Sequence, residues 1–409
     1  MAKIAIMGFG TVGSGVLEVC RRNADAVARR AGEPVEVAHI LDVRDFSASP
    51  DAALFTDRIE TILQDEEVRV VVETIGGTRF AYPFVRRCLE SGRSVCTSNK
   101  EMVAAYGAEL LALAKAHHCA FLFEASVGGG TTVLTPLYQC LSANHITDIR
   151  GIVNSTTNFM LTKMKREKMD FNAALKLAQQ LGYAETKDPG DDVDGRDACR
   201  KIAILASMIC GRHIHPQNIP ARGIREVAPA DVAAAESLGC AVKLIAWCHV
   251  GQDGALSAAV EPMLVPFTNQ LAGVDDVFNA IQITGDMVGE VQFYGKGAGK
   301  LATASAVLAD VIDALKYGES VHDGLFWAEA APLDCQLKND APADWYLRTA
   351  GLAPELLPRL AGKGRQVFAE NGAVGWLLPA VDPGELAAVR AAAAAAGGTV
   401  QASLRMLPQ

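Results

Sequence analysis

A short apolar run, KIAIM at residues 3–7, passes directly into GFGTVG, with Gly8, Gly10 and Gly13, and then into SGVLEVCRR at helical spacing. This succession of strand, glycine turn and helix constrains the fold more than any other segment, because it is the order a dinucleotide site requires. Gly8 permits the tight turn, Gly10 lets a pyrophosphate approach the backbone, and Gly13 lets helix and strand pack closely. The phosphates would then lie at the positive end of the helix, over Thr11 and Val12. A second strand pattern, VEVAHILDV, follows at the distance expected of a βαβ unit.

That second strand ends in Asp42, Val43 and Arg44. An acid at this place holds the ribose hydroxyls of NAD, whereas an arginine pairs with the extra phosphate of NADP. Both are present, so the cofactor is NAD or NADP, and either residue can equally be a polar strand end. Further strand patterns are VRVVVETIGG (68–77), SVCTSNK (94–100) and CAFLFEASVGGG (119–130), with helical patterns between them. Strands alternating with helices predict an α/β domain with a Rossmann-like, doubly wound parallel sheet. Gly76, Gly77, Ser98, Asn99, Lys100 and Glu124 fall at the strand ends that face the ligand crevice of such a sheet. Gly76 and Ser98 join the cofactor set, and Lys100 is an active-site cation or a surface lysine. Downstream, FYGKGAGKLATASAV places Gly299 in a glycine-rich turn before a helix, suited to an anion or to a tightly packed return onto the first domain.

The middle of the chain carries the densest chemistry. IVNSTTNFMLTKM combines a strand with the polar cluster Asn154 to Asn158, which seats a polar substrate or caps a helix. An amphipathic helix, FNAALKLAQQL, with Phe171, Ala174, Leu175, Ala178 and Leu181 on one side, stops at Gly182. Tyr183 and Glu185 then open ETKDPGDDVDGRDACRK, acids and a lysine set ahead of the apolar helix IAILASMI. Asp197 and Lys201 are four apart, on one face of that helix. A buried ion pair tends to cost more in desolvation than it returns, so chemistry is one motive for keeping it; a surface pair at a helix start is the other reading. His213 and His215 read as polar turn residues, since no ligand set converges on them.

Composition narrows the classes. At 409 residues, 50% hydrophobic and 21% charged, the chain is long enough for two or three globular domains of about 150 residues each. A net charge of −9 without a basic stripe argues against nucleic acid. No apolar run is long enough to span a bilayer, there is no signal-peptide pattern, and ten cysteines without a CxxC read as reduced thiols in a cytoplasmic protein. Beyond Pro332 the predicted order is a strand at DWYLRTA, a helix at APELLPRLAG, strands at RQVFAE and AVGWLLPAV, an alanine-rich helix at 383–396 and a strand at TVQASLRML, a βαββαβ succession.

Taken in order over residues 3 to about 315, IMGFGTVGSGV, ETIGG, TSNKEMVA, FEASVGGG, GIVNSTTNFMLTKM, LGYAE, DVDGRDACRKIAIL and GKGAGKLATASAVLADVIDA resemble the homoserine dehydrogenases. The resemblance implies NAD(P)-dependent interconversion of L-aspartate 4-semialdehyde and L-homoserine, on the route to threonine and methionine. It implies a dinucleotide domain at 1–150 completed by 295–330, an α+β substrate and dimerisation domain at 151–294, and a homodimer or homotetramer. Lys201 would be the proton carrier, Lys100 the second lysine flanking the carbonyl, and Asp197 the acid that positions substrate and lysine. Asp192, Tyr183 and Thr156 would line the substrate, and Glu185 would hold its ammonium. A monovalent cation such as sodium would be held mainly by carbonyls at Glu124, Val127 and Gly129. The C-terminal part, 340–409, resembles an ACT regulatory module, but is short and without that module's usual ligand-loop glycine pattern, so it serves either amino acid sensing or a structural or dimerising role. The chain departs from the family pattern at Ser155, Thr131, Thr132 and Ala302, and is one residue longer near Lys187. Those changes leave room for a sister dehydrogenase of another small aldehyde, and loss of turnover would leave a cofactor-binding regulator.

Overall fold

The computed structural model describes residues 1–331, 337, 339–352, 364–370 and 372–408. The strands are β1 (Ala2–Met7), β2 (Val35–Leu41), β3 (Phe55–Thr56), β4 (Val68–Glu73), β5 (Ser94–Thr97), β6 (Phe121–Leu122), β7 (Ile146–Ile152), β8 (Cys240–Val250), β9 (Leu256–Pro266), β10 (Phe278–Gly285), β11 (Gly289–Lys296), β12 (Ala343–Ala350), β13 (Arg365–Glu370), β14 (Ala373–Val381) and β15 (Thr399–Met406). The helices that matter here are α1 (Thr11–Arg22), α2 (Lys100–Ala116), α3 (Ser155–Glu167), α4 (Phe171–Gln180), α5 (Arg196–Cys210), α6 (Pro229–Ser237), α7 (Lys300–Tyr317) and α8 (Pro383–Ala395).

Two compact units divide the chain. The first comprises Met1–Thr147, Arg200–Asn218 and Ile283–Cys335. Its six-stranded sheet runs in the order β3-β2-β1-β4-β5-β6, every pairing parallel. The order reverses between β1 and β4, so the loops leaving these two strands border the crevice where an open α/β sheet takes its ligand. Ile4, Ala5, Ile6, Val70, Val71, Val72, Val95 and Cys96 are all buried, the continuous apolar pattern of strands covered on both faces. Helix α7 returns to cover α1, with the Lys300 carbonyl lying where a side chain on Gly15 would have to go.

The strands of this sheet are shorter than the sequence predicts. β4 ends at Glu73, β5 ends at Thr97, and the 119–130 run keeps only β6. In each case a polar side chain turns the chain away. Asn99 caps α2 by accepting a hydrogen bond from the Met102 amide at 3.1 Å, so Lys100 opens a helix rather than closing a strand. Glu124 accepts from the amides of Val133 (2.6 Å), Leu134 (3.0 Å) and Thr135 (2.7 Å), which folds the chain back immediately after β6.

The second unit comprises Asp148–Cys199, Ile219–Gln282 and Gln336–Gln409. Its strands make up most of a nine-stranded sheet in the order β11-β10-β7-β8-β9-β15-β12-β14-β13. The long hairpin of β8 and β9 pairs antiparallel from Cys240–Pro266 to Val250–Leu256. β15 joins β9 in parallel at Arg405 and Met406, so the C-terminal strands extend the same sheet. Within that part, β12 pairs antiparallel with β14 and β15, and β13 with β14. Trp345, Leu347, Trp376 and Leu378 pack there against Leu386, Val389 and Ala393 of α8. Asp231 in α6 is fully buried and accepts from the Tyr346 hydroxyl and the Arg348 guanidinium, both at 2.8 Å. The helix read at APELLPRLAG lies outside the described residues. In α4, Ala174 and Ala178 form the buried stripe, while Leu181, expected on that side, is exposed just past the helix end.

Candidate active site

In the first unit the glycine turn has the geometry of a phosphate cradle. Gly8 has φ +89°, and a side chain there would meet the backbone of Thr74 and Ile75 at 2.9 Å. A Cβ on Gly13 would lie 2.0 Å from the Gly8 carbonyl, whereas one on Gly10 has no neighbour within 4 Å. Gly13 thus serves packing, and Gly10 leaves open space through which a pyrophosphate would reach the amides of Thr11, Val12 and Gly13 at the uncapped start of α1. These residues fit the dinucleotide that the sequence predicts.

Asp42 lies at the expected ribose position and is mostly shielded from solvent. Its Oδ2 accepts from the Phe9 amide at 2.7 Å, so it also braces the glycine turn. Arg44 lies beside it at 2.8 Å and is more than half exposed. The Arg44 guanidinium, helped by the amides of Phe9 and Arg44, holds the Asp42 carboxyl at about 2 against the opposing effect of burial. Phe46 stacks on Phe55 at 4.3 Å between ring centres, and the Arg44 guanidinium sits 5.1 Å above Phe46. The strand-end aspartate and arginine are therefore one ion pair on an aromatic platform. Gly76 and Gly77 lie on an exposed loop, Ser98 just beyond β5, and Gly299 immediately before α7.

In the second unit, the acids between Glu185 and Asp197 are of two kinds. Asp191 and Asp194 pair with Arg196, and Asp194 pairs also with Arg225, all partly or fully exposed. Asp192 and Asp197 turn instead toward Asn154, whose amide group donates to Asp192 at 2.7 Å and to Asp197 at 2.9 Å. The other end of the same side chain caps α3, accepting from the amide (2.9 Å) and hydroxyl (2.8 Å) of Thr157. Asp197 is 4% exposed and Lys201, one turn further along α5, is 8% exposed. Neither is a surface group, and a buried acid and lysine need polar partners to be stable there.

Asn154, which holds both acids, is placed by the sequence only within a polar cluster. The signal was present, since a capping residue at a strand-to-helix junction projects its amide beyond the helix end. Thr156 donates to the Tyr183 carbonyl at 2.7 Å, so its hydroxyl secures the loop that leads to Glu185. Glu185 itself is exposed. The Ser155 hydroxyl meets the Asn279 side chain at 2.9 Å, and Asn158 donates to the carbonyls of Val274, Asp276 and Phe278. His213 is buried against the Ala104 carbonyl and the Ala108 amide. Among the described residues no group of three or more His, Cys, Asp or Glu could hold a metal. The Glu124 carboxylate is engaged with three amides, so any cation near it would rest on main-chain carbonyls. No helix of the described residues is long and apolar enough to cross a membrane.

A parallel sheet in this order, with an open glycine turn at its switch point, defines a protein with a Rossmann-type dinucleotide-binding domain. A family model described as the NAD-binding domain of homoserine dehydrogenase matches residues 8–124, and one described as homoserine dehydrogenase matches residues 133–312. The chain belongs to the homoserine dehydrogenase family, which interconverts L-homoserine and L-aspartate 4-semialdehyde. It is 39% identical over 319 residues to the homoserine dehydrogenase of Bacillus subtilis, covering 77% of this chain and 73% of that one. With the Corynebacterium glutamicum enzyme it shares 40% over 328 residues, covering 78% and 73%. The crystal structure of a homoserine dehydrogenase from Thiobacillus denitrificans superposes with a TM-score of 0.88 at 32% identity, covering 99% of this chain and 98% of that one. A hyperthermophilic archaeal homoserine dehydrogenase in complex with NADPH superposes with a TM-score of 0.66 at 30% identity, covering 76% and 97%.

Proposed function

We propose that Lys201 is the proton carrier of the homoserine dehydrogenase reaction and that Asp197 orients it. The observation that carries this reading is the burial of both side chains on one face of α5, with Asp197 held by Asn154. Lys201 takes the hydroxyl proton when homoserine is oxidised and returns a proton to the carbonyl oxygen when the semialdehyde is reduced. Lys100, at the positive start of α2, steadies the charge that develops on that oxygen. Asp192 and Glu185 hold the substrate ammonium, with Tyr183 and Thr156 shaping the loop between them. The bound nicotinamide supplies the hydride chemistry.

NADP is the cofactor this reading favours. Arg44 is exposed and suited to a 2′-phosphate, while the Asp42 carboxylate is already engaged by Phe9 and Arg44. The relative solved with NADPH agrees with this choice. The carbonyls of Glu124, Val127 and Gly129 would hold a monovalent cation; two residues further on, the Thr131 hydroxyl is buried without a hydrogen-bond partner, the kind of atom such an ion satisfies. An ACT-like module at 340–409 is supported by the antiparallel order β15-β12-β14-β13 and, among the described residues, by α8 packed against it. The protein works in the cytoplasm as a homodimer or homotetramer.

The test is turnover of L-homoserine with NADP and with NAD, followed by nucleotide absorbance. Lys201→Ala should lower kcat by about 10²-fold or more, the usual weight of a proton carrier, while cofactor Kd stays as in the wild type. Equal loss of kcat and of cofactor affinity would show that the pair is structural.

A further inference from the structure

Glu73, the last residue of β4, is fully buried at the edge of the dinucleotide crevice, and nothing in the reaction above uses it. Its Oε1 accepts from the amides of Ile75 (2.7 Å) and Gly76 (3.2 Å), and its Oε2 accepts from the Thr97 hydroxyl (2.5 Å). Thr97 in turn accepts from the Asn99 amide at 2.9 Å. Asn99 closes the circuit, donating to the Gly77 carbonyl at 2.6 Å while its oxygen caps α2. One buried carboxyl thus ties the loop after β4 to the start of the helix that Lys100 opens.

Packing does not hold the tip of that loop. Gly76 and Gly77 sit at φ +83° and +64°, and side chains built on them would meet nothing within 4 Å. An exposed pair of glycines in the left-handed region has wide conformational freedom, so the polar circuit beneath decides its shape. The loop also bears on the phosphate turn, because a side chain on Gly8 would collide with Ile75 and Thr74, and the Thr74 hydroxyl donates to the Gly8 carbonyl at 2.7 Å. Burying a carboxyl is costly, and burial pushes that of Glu73 upward in pKa against the three donors. A core that needed only stability would place an apolar residue there.

We propose that Glu73 is a positioning residue of the dehydrogenase: it shapes the Ile75–Gly77 loop for the dinucleotide and, through Thr97 and Asn99, sets the start of α2 and hence Lys100. The second half rests on the reading of Lys100 as catalytic; the first half does not.

Glu73→Leu, Glu73→Gln and Thr97→Val separate these effects. Cofactor Kd is measured by fluorescence titration without homoserine, kcat by turnover, and folding by the thermal midpoint. Glu73→Leu removes the acceptor for both amides and should raise the Kd for NADP about 10-fold or more, in line with what small misplacements cost. Glu73→Gln keeps an oxygen for those amides and should recover most of that affinity. Thr97→Val cuts only the branch to Asn99 and should lower kcat about 10-fold with Kd little changed. Wild-type Kd in Glu73→Leu, or a lowered midpoint with Kd unchanged, overturns the proposal. Wild-type kcat in Thr97→Val overturns its second half. Lys100→Ala, assayed alongside, decides the catalytic reading by itself, because the Kd results do not depend on it.

Discussion

Asn154 holds Asp197 at 2.9 Å through the same amide nitrogen that reaches Asp192 at 2.7 Å. Two carboxylates drawn to one donor repel each other, and the shared donor offsets that repulsion, so it helps to fix their orientation. Asn154→Leu should lower kcat by roughly 10- to 100-fold, about 1.4–2.7 kcal/mol of lost orientation, with the Kd for NADP unchanged. Steady-state kinetics beside a cofactor titration checks this. A wild-type kcat would mean that the acids are held by other groups.

The glycines of GFGTVG should separate by experiment into a folding role and a binding role. Gly13→Ala puts a methyl group 2.0 Å from the Gly8 carbonyl and should cost about 1–3 kcal/mol of stability, as overpacking does. Gly10→Ala meets no atom within 4 Å, so its thermal midpoint should stay near that of the wild type while the Kd for NADP rises. Loss of stability in the Gly10 variant would count against an open cradle.

Arg44 should set cofactor choice. Its partner Asp42 titrates at about 2, so the pair stays charged throughout the working range. Arg44→Ala should lower kcat/KM for NADPH about 10-fold or more, the weight of one charge-assisted contact, and leave NADH nearly unaffected. An unchanged ratio between the two cofactors would place the 2′-phosphate elsewhere.

His213 makes the first unit sensitive to acid. Its Nε2 lies 2.9 Å from the Ala104 carbonyl, while its Nδ1 accepts from the Ala108 amide and the Trp327 indole, each at 3.3 Å. Protonation of Nδ1 would set that nitrogen against two donors, and burial, which strips water from the charged ring, lowers the His213 pKa as well. The unfolded chain takes up this proton first, so stability is full above the ordinary histidine value of 6.5 and falls as pH drops from there through the folded value. His322, also buried and also lowered, has the same sign. Urea midpoints should therefore fall between pH 7.5 and pH 5.5, and fall less in His213→Gln. Equal slopes in the two proteins would contradict the assignment.

Local chemistry made much of this legible in the residue order. GFGTVG after an apolar strand fixes a turn, a helix start and an anion site within one short segment, because backbone conformation and strand packing are set by neighbouring residues. The C-terminal strands were readable for a similar reason: β12 to β15 are bounded by turn residues and carry strand-forming side chains. The hairpin of β8 and β9 was not read, because its residues are buried on both faces and lack the alternation that marks a strand. Lys243, 2% exposed within β8 and paired with Asp275, adds to the ambiguity.

The sequence by itself determined the dinucleotide turn, the α/β class, and the placing of an acid and a lysine one turn apart on an apolar helix. Only the tertiary structure decided which acids of the 185–201 segment face solvent with Arg196 and Arg225, and which face Asn154. It alone brought Glu73, Thr97 and Asn99 into one circuit across two strand ends. The physical reason is range. Turn geometry and helix spacing arise between near neighbours, but the partners of a buried polar group are chosen by strand order and helix packing, which bring together residues such as Asn154 and Asp197 that lie far apart along the chain.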